Sequence, residues 1–384
     1  MRPRRVDVRP FALELPTPLS TATGTLDRRE GWLVRVTATD DADTVVGVGE
    51  ATPLPGWTEP PDTCRETLRA AGDRLAEVPV PTAWDVVDGI DGAPAARHGL
   101  ALALADVEAR ATGRPLWRRL LSGRASTAET SAGDRRDERS VAVNATVGDA
   151  TPGKTAERAR DAVRQGFDCL KVKVGARSVS TDLDRLAAVR DAAGDVTLRA
   201  DANAAWDRRA AERALDGVAE RALDLQYVEQ PLDAGDLAGH AALRARERER
   251  AGPTAGTGIA LDESLTEVGV DRALAAAAAG TVVLKPTALG GPDRALTAAR
   301  TAREAGVRVV VTTTIDAVVA RTAAVHVAAA VDVTDPGSRA TAHGLATADA
   351  LAADLAADPT PVERGRVRLP PAPGTGVDRA VFER

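Results

Sequence analysis

The chain contains very little lysine. Only four of its 384 residues are lysines, Lys154, Lys171, Lys173 and Lys285, and every other basic residue is arginine. Three of them, Lys171, Lys173 and Lys285, fall in apolar runs predicted as strands, where a buried ammonium group is costly unless it is paired or takes part in chemistry. Arginine keeps its proton near neutral pH, whereas a crowded lysine can release it, so these positions indicate proton transfer. The simpler alternative is that they are exposed strand residues.

Cysteine and long apolar runs are also scarce. Cys64 and Cys169 are too far apart for a C-x-x-C site, which argues against a disulfide scaffold and against structural zinc. The longest apolar run, residues 273–284, is too short to cross a bilayer. No apolar stretch follows the first arginines, so we expect no signal peptide and no membrane partner, but a soluble cytoplasmic protein.

The charge balance excludes another class of partner. The chain has 50 basic and 56 acidic residues, a net charge of −6. Such a balance lacks the basic surface that binds nucleic acid or anionic membranes. The length fits two domains or one large α/β domain.

From residue 140 to residue 345, apolar β-rich runs alternate with Ala- and Arg-rich helical stretches. The predicted strands are residues 141–147, 169–174, 196–203, 225–230, 259–264, 281–285 and 307–314, with a weaker one at 341–345. This alternation predicts parallel strands joined by right-handed crossovers. The number of units favours a closed, TIM-like (β/α)7β barrel over an open sheet.

Residues 1–125 have a different pattern. Strands are predicted at 5–13, 31–39 and 45–50 and helices at 61–76 and 95–111, which together indicate a separate α+β domain. Residues 126–139 are polar without periodicity and are predicted as a linker or loop. Residues 346–384 are too few for a third domain.

Acidic and amide residues stand at the ends of successive predicted barrel strands. They are Asp201, Asn203, Glu229 and Asp262. The carboxyl ends of barrel strands meet at one mouth, where the chemistry of such barrels takes place. Three carboxylates from adjacent strands make an all-oxygen site that suits Mg²⁺. Taken singly, each carboxylate is equally consistent with a solvated strand end.

The lysines complete this predicted site. Because side chains alternate along a strand, Lys171 and Lys173 are predicted to share one face, and so are Asp201 and Asn203. If the apolar residues between the lysines face the helices, the two lysines point to the barrel axis. Lys173 and Lys285 would flank the metal on two sides. The three strand lysines and three carboxylates cancel in charge, so a divalent metal leaves room for a small dicarboxylate substrate. This arrangement suits removal of a proton next to a carboxylate, by a lysine base and with a metal stabilising the enediolate.

As an ordered set, these residues resemble the muconate-lactonizing branch of the enolase superfamily. The matching motifs are Lys171-x-Lys173, Asp201-x-Asn203, Glu229-Gln230-Pro231, Asp262-Glu263-Ser264 and Lys285-Pro286. The resemblance implies an α+β capping domain, completed by the C-terminal segment, over a barrel of seven or eight strands. It also implies Asp201, Glu229 and Asp262 as ligands of Mg²⁺, or of Mn²⁺ in its place. Lys173 would be the general base and Lys285 the opposing cation or second acid/base, with Lys171 also catalytic and with Asn203 and Glu263 beside them.

Within this branch, three local matches favour the o-succinylbenzoate synthases of menaquinone biosynthesis. They are Arg29-Glu30-Gly31 in a predicted first capping loop, residues 49–57 in a second loop, and the run Thr312-Thr313-Thr314-Ile315-Asp316. The match implies substrate contacts from Arg29, Trp57, Thr312, Thr313 and Thr314. The third match departs from the Ser-rich, Glu-containing form expected there.

Other functions use the same residues. The nearest is an N-acylamino-acid racemase or dipeptide epimerase with Lys173 and Lys285 as paired acid/base catalysts, followed by a muconate-type cycloisomerase. A non-catalytic barrel that binds an anion is the alternative from another class. The end of the seventh predicted strand has no histidine, which argues against the mandelate-racemase branch, and His326 lies in a helical pattern where a structural role is expected.

Overall fold

The computed structural model describes residues 2–21, 24–39, 43–76, 78–123, 139–251, 256–334 and 341–383. The linker predicted at 126–139 lies outside these residues except for Arg139. Within the described ranges, no helix is long and apolar enough to cross a membrane.

The chain begins with an antiparallel sheet of three strands in the order β1-β2-β3. The strands are β1 (Arg2–Thr21), β2 (Gly24–Thr39) and β3 (Thr44–Ala51), and four helices follow, α1 (Pro61–Leu75), α2 (Val80–Asp88), α3 (Pro94–Ala111) and α4 (Leu116–Ser122). Helix α3 is buried on nearly all sides and packs on β3. Glycine permits this contact, because a Cβ built on Gly49 would lie 1.9 Å from the carbonyl oxygen of Gly99.

Seven parallel strands then form one curled sheet in the order β5 to β11. They are β5 (Ala145–Val147), β6 (Cys169–Lys173), β7 (Thr197–Asp201), β8 (Leu225–Glu229), β9 (Gly258–Leu261), β10 (Thr281–Leu284) and β11 (Arg308–Val311). His343 and Gly344 close the ring, since their amides donate to Ala142 O at 2.8 Å and Val311 O at 2.9 Å. The TIM-like barrel predicted from the strand–helix alternation is confirmed.

Helices connect the barrel strands on the outside. They are α5 (Pro152–Arg164), α6 (Val179–Ala193), α7 (Arg208–Glu220), α8 (Leu237–Ala251), α9 (Glu263–Glu267), α10 (Val270–Ala275), α11 (Pro286–Leu289), α12 (Pro292–Glu304) and α13 (Val318–Val333). Their inner faces are small and apolar, such as Ala211, Ala214 and Leu215 in α7, which allows close packing on the strands.

Several predicted strands are shorter in the structure. The strand predicted at 141–147 is two strands, β4 (Ser140–Ala142) and β5, because β4 pairs antiparallel with β13 (Arg366–Arg368) rather than joining the barrel sheet. The strand predicted at 196–203 ends at Asp201, and Asn203 has a φ of 43°, so the prediction that both lie on one strand face was wrong. Arg29 lies inside β2 and not in a loop.

The C-terminal segment runs back to the N-terminal helices. After β12 (Val362–Glu363) and β13, the carbonyl of Gly374 accepts from Leu116 N at 2.8 Å, and Thr375 N donates to Asp106 Oδ1 at 2.8 Å. Two short 3-10 helices, Ala348–Ala350 and Arg379–Phe382, complete the segment.

Candidate active site

Two lysines of β6 meet the carboxylates at the ends of the next two strands. The parallel register places Lys173 beside Asp201, and Asp201 beside Glu229, at one level of the barrel. Lys171 Nζ lies 2.9 Å from Asp201 Oδ2 and 2.9 Å from Glu229 Oε1. Burial by itself would lower the pKa of Lys171, but the two carboxylates outweigh it and hold that pKa well above its ordinary value. Lys171 is therefore a fixed positive charge between two strands.

Lys173 occupies a more open position. Its Nζ lies 2.7 Å from Asp201 Oδ2 and 2.7 Å from Asn203 Oδ1. Its side chain is 36% exposed, whereas that of Lys171 is 12% exposed. Of the two β6 lysines, Lys173 thus has the amine that a molecule at the barrel mouth can reach.

Lys285 faces the cluster from the other side. It follows β10, and its Nζ lies 2.6 Å from Asp262 Oδ2 and 3.2 Å from the centroid of the Trp57 ring. An ammonium group against an aromatic face is attracted by the ring's quadrupole. Trp57 comes from the loop after β3, so the N-terminal part of the chain reaches the barrel mouth at Lys285, which is 11% exposed.

The three carboxylates are deeply buried and have different electrostatics. Burial and the neighbouring Asp201 raise the pKa of Glu229 to about 7. Burial raises the pKa of Asp262 to about 6, although Lys285 opposes it. Burial also acts on Asp201, but Lys171 and Lys173 hold its pKa well below its usual range.

The donor set fits a divalent cation. Glu229 Oε2 and Asp262 Oδ1 are buried and have no hydrogen-bond partner in the described part of the chain. Buried oxygens without a partner are unfavourable, and oxygen ligands are those that Mg²⁺ prefers. No group of three acidic, histidine or cysteine side chains among the described residues is already gathered as a metal cage; ammonium groups lie against the carboxylates instead. The residue types and the two unpaired oxygens nevertheless suit the metal.

The predicted neighbours Asn203 and Glu263 contact each other at the mouth. Asn203 Nδ2 donates to Glu263 Oε1 at 3.1 Å, while its Oδ1 accepts from Lys173. The structure thus joins the ends of β6, β7 and β9 through side chains.

Sequence reasoning gave Gln230 no role beyond its motif, yet this residue links two carboxylate-bearing strands. It is fully buried, and its Oε1 accepts from the amides of Asp262 at 3.0 Å and Ser264 at 3.2 Å. Its Nε2 donates to Ser264 Oγ at 2.8 Å. The sequence did contain a sign of this role, because Gln230 is an amide residue directly after Glu229 at a strand end. At such a position a side chain can accept the hydrogen bonds that the next strand would otherwise have accepted.

Arg29, predicted as a substrate contact, is used inside the protein. Its side chain is buried and donates to the carbonyls of Thr52 at 3.0 Å, Pro53 at 2.9 Å and Ile315 at 3.2 Å. All of its nitrogens are engaged with main chain, so Arg29 braces the loop before Trp57.

The three predicted threonines also have internal partners. Thr312 Oγ1 donates to Gly344 O at 2.7 Å, Thr313 Oγ1 lies 3.0 Å from Thr347 Oγ1, and Thr314 Oγ1 donates to Asp316. These contacts fix the backbone that follows β11 rather than presenting free hydroxyl groups.

A TIM-like barrel with two lysines flanking strand-end carboxylates defines a known group of proteins. The chain belongs to the enolase C-terminal domain-like family, which it matches over residues 154–380.

Individual relatives differ in their named activities. The chain is similar to the o-succinylbenzoate synthase of Geobacillus stearothermophilus, with 30% identity over 401 residues, covering 99% of this chain and 94% of that protein. The L-Ala-D/L-Glu epimerase of Bacillus subtilis (strain 168) is 31% identical over 243 residues; the match spans 61% of this chain and only 62% of the epimerase. Among solved structures, the dipeptide epimerase of Enterococcus faecalis V583, complexed with Mg and the dipeptide L-Leu-L-Tyr, has a TM-score of 0.81 at 26% identity, covering 98% of this chain and 99% of that one.

Proposed function

We propose that this protein is a Mg²⁺-dependent dehydratase, an o-succinylbenzoate synthase. It would convert 2-succinyl-6-hydroxy-2,4-cyclohexadiene-1-carboxylate to o-succinylbenzoate in menaquinone biosynthesis. Similarity over nearly the whole chain to the Geobacillus enzyme supports this assignment. The chemistry of the site supports one reaction of this family over the others.

The observation that carries the proposal is the unequal environment of the two flanking lysines. Lys173 is the more exposed, and its partners are one carboxylate and one amide oxygen. Lys285 is enclosed between Asp262 and the Trp57 ring, and its side chain is 11% exposed. One accessible base and one held cation suit a reaction with proton transfer on a single face.

In the proposed mechanism, Lys173 acts first as base and then as acid. Its neutral amine takes the proton from the carbon alpha to the substrate carboxylate, and the C–H electron pair becomes part of the new double bond. The C–O bond to the ring hydroxyl then breaks, and Lys173 returns the proton to the departing oxygen, which leaves as water. Loss of water on the same face makes the ring aromatic.

The remaining residues hold charge and shape. Asp201, Glu229 and Asp262 would hold the metal, which supplies positive charge where the enediolate forms. Lys285 adds its ammonium charge from the other face, and Lys171 keeps Asp201 and Glu229 in place.

We further propose a division of the chain into domains. Residues 1–125, together with 346–384, form the capping domain, and residues 140–345 form the catalytic barrel. The contact of Trp57 with Lys285 supports this proposal, because it places the loop after β3 over the site. Such a loop would exclude water from the enediolate.

A racemase or dipeptide epimerase is the second candidate. Lys285 and Lys173 approach the carboxylates from opposite sides, as a two-base exchange of an alpha proton requires. The structural similarity to dipeptide epimerases also favours it. The two candidates are separated by incubating the protein with Mg²⁺ in D₂O and either the cyclohexadiene substrate or N-succinyl amino acids and dipeptides. Formation of o-succinylbenzoate without fast alpha-deuteration supports the dehydratase; fast deuteration without dehydration would replace it by the epimerase.

A further inference from the structure

Glu50, at the end of β3, binds a helix of the barrel. Its side chain is fully buried, its Oε1 accepts from Ala317 N at 2.8 Å, and its Oε2 accepts from Ala320 N at 2.9 Å. These amides belong to the start of α13, whose own capping position is Ala317, a residue with no side-chain acceptor. The first amides of a helix need partners and favour a negative charge. Two amides at the start of α13 are therefore bound by a residue 267 positions before Ala317, while Asp354 accepts from Val318 N at 2.8 Å.

The same carboxylate also binds the loop that carries Trp57. Thr52 Oγ1 donates to Glu50 Oε1 at 2.6 Å. Arg29 lies beside this bond, and it clamps two carbonyls of the loop together with the carbonyl of Ile315. One buried group of side chains, Arg29, Glu50 and Thr52, thus joins the loop after β3 to the segment after β11.

The connection continues to the turn after Lys285. Asp316, next to the capped helix, accepts from Thr287 Oγ1 at 3.2 Å and from Thr314 N at 3.3 Å. Thr287 is two residues beyond Lys285 in α11. Lys285 therefore has two links to the neighbourhood of Glu50, one through the Trp57 ring that contacts its amine and one through the turn that follows it in the chain.

This arrangement is costly for a simple helix cap. Burial, together with the nearby Asp316, raises the pKa of Glu50 to about 7. A serine, threonine or aspartate at the capping position itself would serve α13 without a buried carboxylate from a distant strand. Unlike a local cap, Glu50 binds both the loop that carries Trp57, through Thr52, and the start of α13.

We propose that Glu50 is a positioning residue that couples the loop carrying Trp57 to the segment after β11 and so holds Trp57 over Lys285. This inference rests on one part of the proposed function, namely that Lys173 and Lys285 act on the substrate. It applies equally to the dehydratase and to the epimerase.

The test compares Glu50→Gln with Asp106→Asn. Asp106 is a suitable control because it is also a fully buried carboxylate that accepts two amides, those of Val48 at 3.0 Å and Thr375 at 2.8 Å, and joins distant segments. Its partners include neither the Trp57 loop nor the segment after β11. Both variants are expected to lower Tm, whereas only Glu50→Gln should raise KM, by about tenfold with a smaller change in kcat.

A second readout does not depend on turnover. Acrylamide quenching of Trp57, obtained by subtracting the same measurement on a Trp57→Phe background, should increase in Glu50→Gln and stay unchanged in Asp106→Asn. Equal KM and equal quenching in the two variants would overturn the coupling and leave Glu50 as a structural cap. If the wild type turns over neither substrate, the proposed function has failed, and quenching still decides the coupling.

A second pair of variants applies if Glu50→Gln does not fold. Thr52→Val removes the hydroxyl donor to Glu50 at nearly constant shape, and Thr52→Ser restores it. We expect increased quenching of Trp57 in the valine variant and wild-type quenching in the serine variant. The same quenching in both would contradict the proposal.

Discussion

Replacing each flanking lysine by arginine separates the base from the cation. Lys173→Arg keeps a positive charge beside Asp201 and Asn203, so the fold and the charge balance of the mouth should persist. Arginine cannot release its proton near neutral pH, which removes the base. A positioned general base contributes about 10²–10⁴-fold, so we expect kcat to fall by at least that factor, equivalent to about 3–5 kcal/mol.

Lys285→Arg should behave differently in a dehydratase. A guanidinium retains the charge beside Asp262 and stacks on Trp57 at least as well as an ammonium does. The loss should be confined to the altered placement of that charge, which we put at about tenfold in kcat. A racemase moves a proton with each lysine, so there the same substitution should cost as much as Lys173→Arg.

The assay follows both reactions on one set of proteins. Wild type and both arginine variants are incubated in D₂O with Mg²⁺, and o-succinylbenzoate formation and alpha-deuteration of N-succinyl amino acids are measured by NMR. Melting curves show whether the variants are folded. A Lys173→Arg protein with a near-normal rate would refute the assignment of the base, and equal large losses in both variants would refute the single-base mechanism.

Three further predictions concern the metal, the loop and acid stability. Mg²⁺ or Mn²⁺ soaked into crystals should give density about 2.0–2.6 Å from oxygens of Asp201, Glu229 and Asp262, and no density there would contradict the metal site. Trp57→Ala should raise KM by about 2–30-fold, because a cation–π contact of about 0.5–2 kcal/mol helps to keep the loop closed over the bound substrate. Tm should change little; a collapse in Tm would instead make Trp57 a core residue. Burial lowers the pKa of His326 from 6.5 to about 4, so the unfolded chain takes up a proton at a higher pH than the folded chain does. The free energy of unfolding should therefore fall by about 3 kcal/mol as the pH drops from 6.5 to 4. His326→Gln should remove this decline, which urea titrations at several pH values would measure.

The barrel was predictable because its information is local. Each strand is a short apolar run, and each of Asp201, Glu229 and Lys285 stands at or next to the end of one, so parallel order alone brings these residues to one mouth. Strand ends were less predictable. Residues 202–203 read as a continuation of β7, but Asn203 takes a left-handed conformation that asparagine tolerates, and its amide reaches Lys173 from outside the strand.

The contacts that sequence reasoning missed join residues far apart in the chain. Arg29 and Thr314 match motifs that imply substrate contact, yet their partners are carbonyls and a carboxylate of other segments. Glu50 stands at the end of an apolar strand, and this pattern does not predict its bond to the start of α13. A local sequence pattern cannot specify a partner 267 residues away. Propensity and spacing report on neighbours in sequence, whereas these roles depend on how two units of the fold meet.

Arginine and lysine have different roles around the barrel. Two buried cations that hold backbone and side chains are arginines. Arg185 of α6 donates to Lys173 O at 2.8 Å and to Asp182, and Arg199 of β7 donates to Asn144 Oδ1 at 3.1 Å. The planar guanidinium serves several acceptors at once but cannot give up its proton. Arg185 thus fixes the main-chain carbonyl of Lys173 from helix α6, while Lys173 presents its amine at the end of β6. An arginine at position 173 would neutralise Asp201 as well as a lysine does. The chain instead has a lysine there, with the more exposed amine of the two in β6, which favours a role in proton transfer over a purely structural role for Lys173.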